Sequence, residues 1–186
     1  MSEWLAHVPR VLWLALPVMV AAAVQIAVIK LDWLKALKGP IDRGCRFRGE
    51  RLFGDNQTWR GAVVYVAVTV LAILPQGYWR QPQLEYFDYS EVSLPLAGFL
   101  LGLGWVLGEL PNSFLKRQIG IAPGQRGSPF FVLLDQVDSL IGCLLLLCLV
   151  WIPPWQVWLV ILVLCSGLHM LFNGVFVLLG LKKSIF

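Results

Sequence analysis

Charge is scarce in this chain. Of its 186 residues only 14% are Asp, Glu, Lys or Arg, while 58% are hydrophobic. Soluble domains average about 45–50% apolar and about 25% charged residues, so this composition excludes a water-soluble globule and makes lipid the solvent for most of the chain. Cysteine is sparse and poorly spaced. Cys143, Cys148 and Cys165 lie in apolar runs and Cys45 stands alone in a basic loop, which excludes a disulfide framework and a zinc motif. Histidine is scarcer still: His7 carries no signal, and His169 shares a helix face with Ser166 and Asn173, where internal packing is the expected role. Internal repeats and low-complexity tracts are also missing, and the length leaves room for a single membrane domain.

Long hydrophobic runs are what the sequence does have. Five emerge, at 11–29, 62–75, 94–108, 130–152 and 155–181. The first continues past the usual length of a signal-peptide core and is preceded by Glu3, so it reads as a retained helix rather than a cleaved leader. At about 1.5 Å per residue it reaches roughly 28 Å, enough to cross the hydrocarbon core. The second and third runs are short and borrow residues from their flanks. The expectation is an all-α integral membrane protein of five transmembrane helices, at about 9–30, 58–76, 93–115, 129–152 and 155–181. Pro153-Pro154 makes a tight turn between the last two, and Ser128-Pro129 reads as N-cap and first residue of the fourth.

Charge sets the orientation. With alternating loops, Lys30, Lys35, Lys38, Arg43, Arg46, Arg48, Arg51, Arg60, Lys116, Arg117, Arg126, Lys182 and Lys183 share one side, and only Arg10 and Arg80 fall on the other. The positive-inside rule then puts the N-terminus outside, the C-terminus in the cytoplasm and the chain in the cytoplasmic (inner) membrane as a multi-pass protein. The cytoplasmic loops are about 31–57 and 116–128, and the unusual polar residues gather in and beside them. The external loop 76–93 carries Tyr78, Trp79, Tyr86, Phe87 and Tyr89, suited to a membrane interface.

Asp135 and Asp138 are three apart, so a helix presents both carboxylates on one face, about two turns inside an apolar segment. Ionisable groups at such depth usually face a polar cavity. Two carboxylates at this spacing make a seat for magnesium; alternatively they pair with Arg117 or Arg126 and anchor the helix. Glu109 adds a third carboxylate at the end of the third run. Lys116 and Arg117, followed by Pro123, Gly124 and Gly127, offer cations and close main-chain approach to a polyphosphate, or else form an ordinary basic flank. In the first loop Asp42, Asp55, Asn56, Thr58 and Arg60 are candidates for contact with a nucleotide or phosphate, on a surface that is itself attracted to anionic headgroups.

Taken together, "PIDRGCRFRGERLFGDNQTWRG", "NSFLKRQIGIAPG" and "LLDQVDSLIG" resemble the CDP-archaeol synthase family, five-helix membrane enzymes related to the CDP-diacylglycerol synthases. The resemblance runs from the first helix to the fourth. It implies a CTP-dependent cytidylyltransferase of phospholipid biosynthesis, which converts a lipid phosphomonoester to a CDP-lipid with release of pyrophosphate and requires Mg2+. The partners are then CTP, the lipid phosphate and bilayer lipids, with no nucleic acid; oligomeric state has no signature. By motif position Asp135 and Asp138 hold the magnesium, with Glu109 as a further ligand. Lys116 and Arg117 neutralise phosphates, Asn112, Ser113 and Gly124 position them, and Asp55, Asn56, Thr58 and Arg60 close the site.

Two positions depart from the family pattern. Gln57 stands where the family has lysine, and Arg43-Gly44 where it has a glycine pair. Arg43 and Arg60 are the candidate substitutes for the missing cation. The competing reading is a non-catalytic membrane subunit of the same fold that binds nucleotide or anionic lipid.

Overall fold

The computed structural model describes residues 2–125 and 127–178. Arg126, Lys182, Lys183, the Asn173 side chain and the expected end of the fifth helix lie outside the described residues. The elements in chain order are α1 (Ser2–Lys30), a single 3-10 turn (Lys35–Leu37), β1 (Arg46–Phe47), β2 (Glu50–Arg51), α2 (Trp59–Tyr78), α3 (Leu94–Gln118), α4 (Pro129–Leu147) and α5 (Trp155–Leu178). Among the described residues five helices are long and apolar enough to cross a membrane, and the protein is a multi-pass membrane protein.

Helix ends follow local chemistry. Thr58 caps α2, its hydroxyl accepting from the Gly61 N–H at 3.2 Å, and Ser93 occupies the same position on α3. Ser128 stands at the N-cap of α4 without a side-chain bond, and Pro129 follows it. The basic pair Lys116-Arg117 was expected in a loop but forms the last turn of α3, where cations favour the negative end of the helix dipole. The fourth helix ends at Leu147, five residues short of its expected limit, and turn structure leads into Pro153-Pro154.

Glycine sets the distance between α3 and its neighbours. A Cβ on Gly98 would meet Val70 Cα of α2 at 2.9 Å, and one on Gly102 would meet Val66 Cα at 2.7 Å. On the opposite side, a Cβ on Gly104 would meet Cys143 Cα at 2.6 Å, and one on Gly108 would meet Ser139 Cα at 2.8 Å. Gly142 of α4 faces both, with Gly108 Cα 2.7 Å from where its own Cβ would lie. In lipid, where apolar surface gains nothing by leaving solvent, this backbone contact supplies the packing that holds helices together.

The segment between α2 and α3 folds back over the end of the bundle. Arg80 binds both carboxylate oxygens of Glu85 at 2.9 Å and Asp88 at 2.9 Å, and Arg10 donates to the Glu85 carbonyl. Tyr86 stacks on Trp151 with ring centroids 5.1 Å apart. Tyr78 and Trp79 are exposed, as an interfacial role requires, but Phe87 and Tyr89 are buried. These last two close the bundle rather than face the bilayer, because the Glu85 ion pair pulls their segment inward.

If glycine sets the α3–α4 distance, Gly142→Ala should force the helices apart. Its methyl group would push into the Gly104 carbonyl and Gly108. The expected loss is about 1–3 kcal/mol, the usual cost of overpacking. Thermal unfolding of the purified protein in detergent measures it.

Candidate active site

The ends of α1, α3 and the starts of α2 and α4 meet at one end of the bundle, and the first loop is folded there around Asp42. This carboxylate is buried. Its Oδ1 accepts from Arg51 at 2.6 Å and from the Gly44 N–H at 3.0 Å, and its Oδ2 accepts from the N–H groups of Phe53 and Gly54 at 3.0 and 3.1 Å. Burial alone would raise its pKa, but the Arg51 bond and the three backbone donors outweigh this and hold the carboxyl well below the usual carboxylate range. The tethered Gly54 leaves room for Arg117, whose guanidinium lies 3.2 Å from the position a Cβ would take.

On α3, Gly104, Gly108, Asn112 and Lys116 recur every four residues and form one stripe facing α4. Once the glycines have brought the helices together, the same stripe meets the aspartates. Asn112 Nδ2 donates to Asp135 Oδ1 at 2.6 Å and to Asp138 Oδ2 at 2.7 Å. Lys116 Nζ donates to Asp135 Oδ1 and Oδ2 at 2.5 and 2.6 Å. Asp138 Oδ1 accepts from the Ser139 N–H at 2.6 Å. Ser139 Oγ lies between Asp138 Oδ1 at 3.3 Å and Glu109 Oε1 at 3.2 Å. Gln57 Nε2 reaches across from the first loop to Glu109 Oε2 at 3.2 Å and Ser113 Oγ at 3.1 Å.

Gln57, Glu109, Ser113, Lys116, Asp135 and Asp138 line a polar cavity of about 380 Å³, together with Phe53, Asn56, Arg117, Gly124 and Gln125. Asp135 pairs with Lys116, not with Arg117. Arg117 is 7% exposed, its Nε has no hydrogen-bond partner, and no carboxylate among the described residues pairs with it. A buried guanidinium without an anion is expensive and calls for one from outside. Next to this cavity, a second one of about 300 Å³ runs between α1, α3, α4 and α5 and is almost wholly apolar. Trp105 of α3 lines the apolar slot and Glu109, one turn on, lines the polar cavity.

Several expected residues therefore meet: Asn56, Glu109, Ser113, Lys116, Arg117, Gly124, Asp135 and Asp138 share one cavity. Asn112 binds the carboxylates instead of projecting into the cavity. Glu109 is held by Gln57 and Ser139, and among the described residues no three acidic, histidine or cysteine groups converge as a ready metal cage. Others stand elsewhere. Asp55 is exposed and pairs with Arg51 at 2.9 Å, Thr58 is spent on its helix cap, and Arg60 pairs with Asp32 at 3.4 Å and the Trp33 carbonyl at 3.3 Å. Arg60 is so engaged, Arg43 is exposed, and neither of these candidate substitutes for a lysine at Gln57 lines the cavity. Phe53 and Gln125 were not foreseen, since neither carries a charge or a motif spacing that marks it. Ser166 donates to the Gln136 carbonyl at 3.2 Å and His169 packs edge-on to Trp105, which is internal packing.

The sequence model of the CarS-like CDP-archaeol synthases matches residues 5–186. A CDP-archaeol synthase of Halobacterium salinarum is 34% identical over 153 residues, covering 78% of this chain and 82% of the relative. One from Methanopyrus kandleri is 37% identical and covers 77% of this chain and 78% of its own, and one from Thermofilum pendens is 33% identical and covers 95% and 80%. A solved structure, described as an intramembrane enzyme for archaeal membrane lipids biosynthesis, superposes with a TM-score of 0.61 at 27% identity. It covers 87% of this chain and 91% of that one.

Asp42 yields a test by pH. Because its folded pKa is depressed, its stabilisation is fully present above the unfolded value of about 3.9 and is lost as pH falls through the folded value. Asp42→Asn should cost about 3 kcal/mol at neutral pH. The gap between variant and parent in thermal unfolding should narrow below about pH 4.

Proposed function

This chain belongs to the CDP-archaeol synthase family, and from that premise and its two adjoining cavities we propose that it transfers a cytidylyl group from CTP to a lipid phosphomonoester. The observation that supports this reading is the juxtaposition itself. An apolar slot suited to a lipid tail and a polar cavity with a buried, unpartnered arginine share the wall formed by α3, Trp105 facing one and Glu109 the other. The excess of cations at the cavity end supports placing that end in the cytoplasm, where CTP is available.

The reaction asks little covalent chemistry of the protein. A phosphomonoester is largely dianionic at neutral pH, its second pKa being about 6, so no general base is required. One of its oxygens attacks the α-phosphorus of CTP. The bond from that phosphorus to the bridging oxygen breaks, pyrophosphate departs, and the lipid retains the new P–O–P link. What remains is to position two polyanions and neutralise their charge. Arg117 supplies a fixed cation whose partner is the nucleotide phosphate. Lys116 exchanges Asp135 for phosphate as the substrates enter. Ser113, Asn56 and the Gly124 backbone orient the chain of phosphates, and Phe53 offers the cavity an aromatic face. The slot holds the lipid tail so that its headgroup emerges beside Glu109.

The residues fit a magnesium ion. Two carboxylates on one face of α4 lie within hydrogen-bond reach of one donor, Asn112 Nδ2, so an oxygen from each could be brought to a small cation beside it. Asp135 and Asp138 would hold it, and bound there it supplies Lewis-acid neutralisation of the triphosphate. Asn112 keeps both carboxylates in register whichever cation occupies them.

Labelled CTP, magnesium and a panel of lipid phosphates, supplied to the purified protein, test the assignment. CDP-lipid should form with at least one of them, and its absence from all would overturn the reading. Asp135→Asn and Asp138→Asn should each abolish turnover, and Asp135→Asn, which leaves the buried Lys116 without its carboxylate, should also lower thermal stability by about 3 kcal/mol. Arg117→Ala should raise the KM for CTP by about ten- to a hundredfold, the worth of a charge-assisted phosphate contact. Gln57→Lys adds a cation within reach of Glu109 and the cavity, where none of the expected substitutes stands. It should raise kcat several-fold, and a fall in rate would assign the Gln57 bridge itself to the active geometry.

A further inference from the structure

The first loop contains two turns with the same central Arg-Gly pair. Asp42-Arg43-Gly44-Cys45 closes through the Cys45 N–H on the Asp42 carbonyl at 2.8 Å, and Phe47-Arg48-Gly49-Glu50 joins β1 to β2. In both, the two central residues have positive φ: 47° and 85° at Arg43 and Gly44, 53° and 87° at Arg48 and Gly49. That is the mark of a type I′ turn, whose first central position favours Asn, Asp or Gly. Arginine is disfavoured there, yet it occurs twice. Local strain of this kind, repeated at exposed tips, points to use of the side chains it displays.

The surroundings identify what they meet. Arg43, Arg46 and Arg48 are exposed, and no carboxylate among the described residues pairs with them. Of the nearby acids, Asp32 is engaged by Lys35 and Lys38, and Asp42 and Asp55 by Arg51; Glu50, exposed on the hairpin, is a single carboxylate among three arginines. The half-exposed Phe47 packs against Phe114 in the last turns of α3, with ring centroids 5.9 Å apart. This contact sets the hairpin at the level where the membrane span ends. Leu31 and Trp33, just past the end of α1, are exposed at 57% and 59%, as side chains at a membrane interface are. The surface is thus convex, cationic and flanked by apolar groups, and it lies outside the polar cavity.

We propose that the paired Arg-Gly turns are a docking surface for the phosphate-bearing headgroups of anionic lipids in the adjoining leaflet. Arginine forks bind phosphate oxygens bidentately, and a convex tip reaches headgroups that lie side by side in a plane. A soluble phosphate would need enclosing donors, which this surface does not offer.

Cys45 lies exposed between the two turns, whereas Cys143 and Cys165 are buried, so a fluorophore on Cys45 in a Cys148→Ala background reports on the site. The labelled full chain is reconstituted in phosphatidylcholine vesicles with a small fraction of headgroup-spin-labelled phosphatidylglycerol or, separately, spin-labelled phosphatidylcholine. Quenching by the anionic lipid should exceed quenching by the zwitterionic one. In the double variant Arg43→Asn/Arg48→Asn this excess should fall, by up to about fivefold per arginine. Asparagine suits a type I′ turn better than arginine, so thermal unfolding should hold or rise, which separates charge from fold. Arg43→Lys/Arg48→Lys should keep most of the excess. Equal quenching by both lipids in the parent overturns the proposal, as does an excess that survives the asparagine double variant. Loss of the excess on adding inorganic phosphate at constant ionic strength would also overturn it, by making the patch a soluble-phosphate site.

Discussion

The backbone contact between α3 and α4 over Gly104, Gly108 and Gly142 is the constraint from which the rest of the structure follows. Two helices that meet through side chains stand far enough apart that an asparagine on one cannot bridge two carboxylates on the other. Here the stripe that begins with Gly104 and Gly108 continues, at the same spacing of four, into Asn112 and Lys116. On α4, Gly142 is followed toward the N-terminus by Asp138 and Asp135 on the same side. One interface therefore changes character along its length. It is small and apolar within the bundle, where close packing is the available attraction, and polar at the end, where donors and acceptors find each other at 2.5–2.7 Å. The packing and the site are one device.

That device resolves an electrostatic problem at rest. Asp135 and Asp138 would be costly at this depth unless neutralised or hydrogen-bonded, and Lys116, Asn112 and Ser139 meet the need from within the protein. Glu109 is served in the same way by Gln57 and Ser139. A chain that satisfied every polar group internally would have no reason to bind anything. Arg117 breaks the pattern: buried beside the cavity and without a carboxylate among the described residues, it leaves a positive demand that, on the proposed function, an incoming polyanion would fill. On the same proposal, Lys116 would follow once a second cation relieved it at Asp135. Binding would then proceed by exchange of partners, which keeps the charges of Lys116 and Asp135 paired throughout.

Much of this was legible in the residues. The apolar runs gave the number of helices because lipid leaves few alternatives to a helix for an uninterrupted apolar segment. The aspartate spacing gave the shared face because helical period is fixed. The motifs around Ser113, Lys116 and Asp135 gave a common site. Other features resisted because their roles depend on partners distant in sequence. Arg60 and Asp55 look like phosphate ligands in isolation, but Asp32 and Arg51 claim them. Thr58 serves the helix cap that its position before a helix already allowed. Phe87 and Tyr89 resemble interfacial aromatics until Arg80 and Glu85 fold their loop inward. The glycines of α3 were visible throughout, with the small-xxx-small spacing of packed membrane helices, but composition alone counts them as part of an apolar run.

The division of labour within the bundle follows from the same packing. α3 touches both α2 and α4 along its length, whereas α5 meets α1 and α4 more sparsely. Its outer face carries Val163, Leu171 and Leu178, which are exposed as lipid-facing residues are. The apolar slot lies on this looser side, between α1 and α5, and the charged cavity on the tighter one. Precision is needed where phosphate charge is to be met within tenths of an ångström, and glycine contacts supply it. A lipid tail makes no such demand, because dispersion contacts are many, weak and tolerant of sliding. A bundle rigid on one side and loosely packed on the other can therefore fix the headgroup while leaving the chain free to enter from the bilayer. Trp105, stacked on Tyr65 with ring centroids 5.3 Å apart, stands where the two regimes meet. It belongs to the tightly packed helix, yet it forms part of the slot's wall, so a lipid tail held there, as proposed, would be referred to the same backbone that positions the charges.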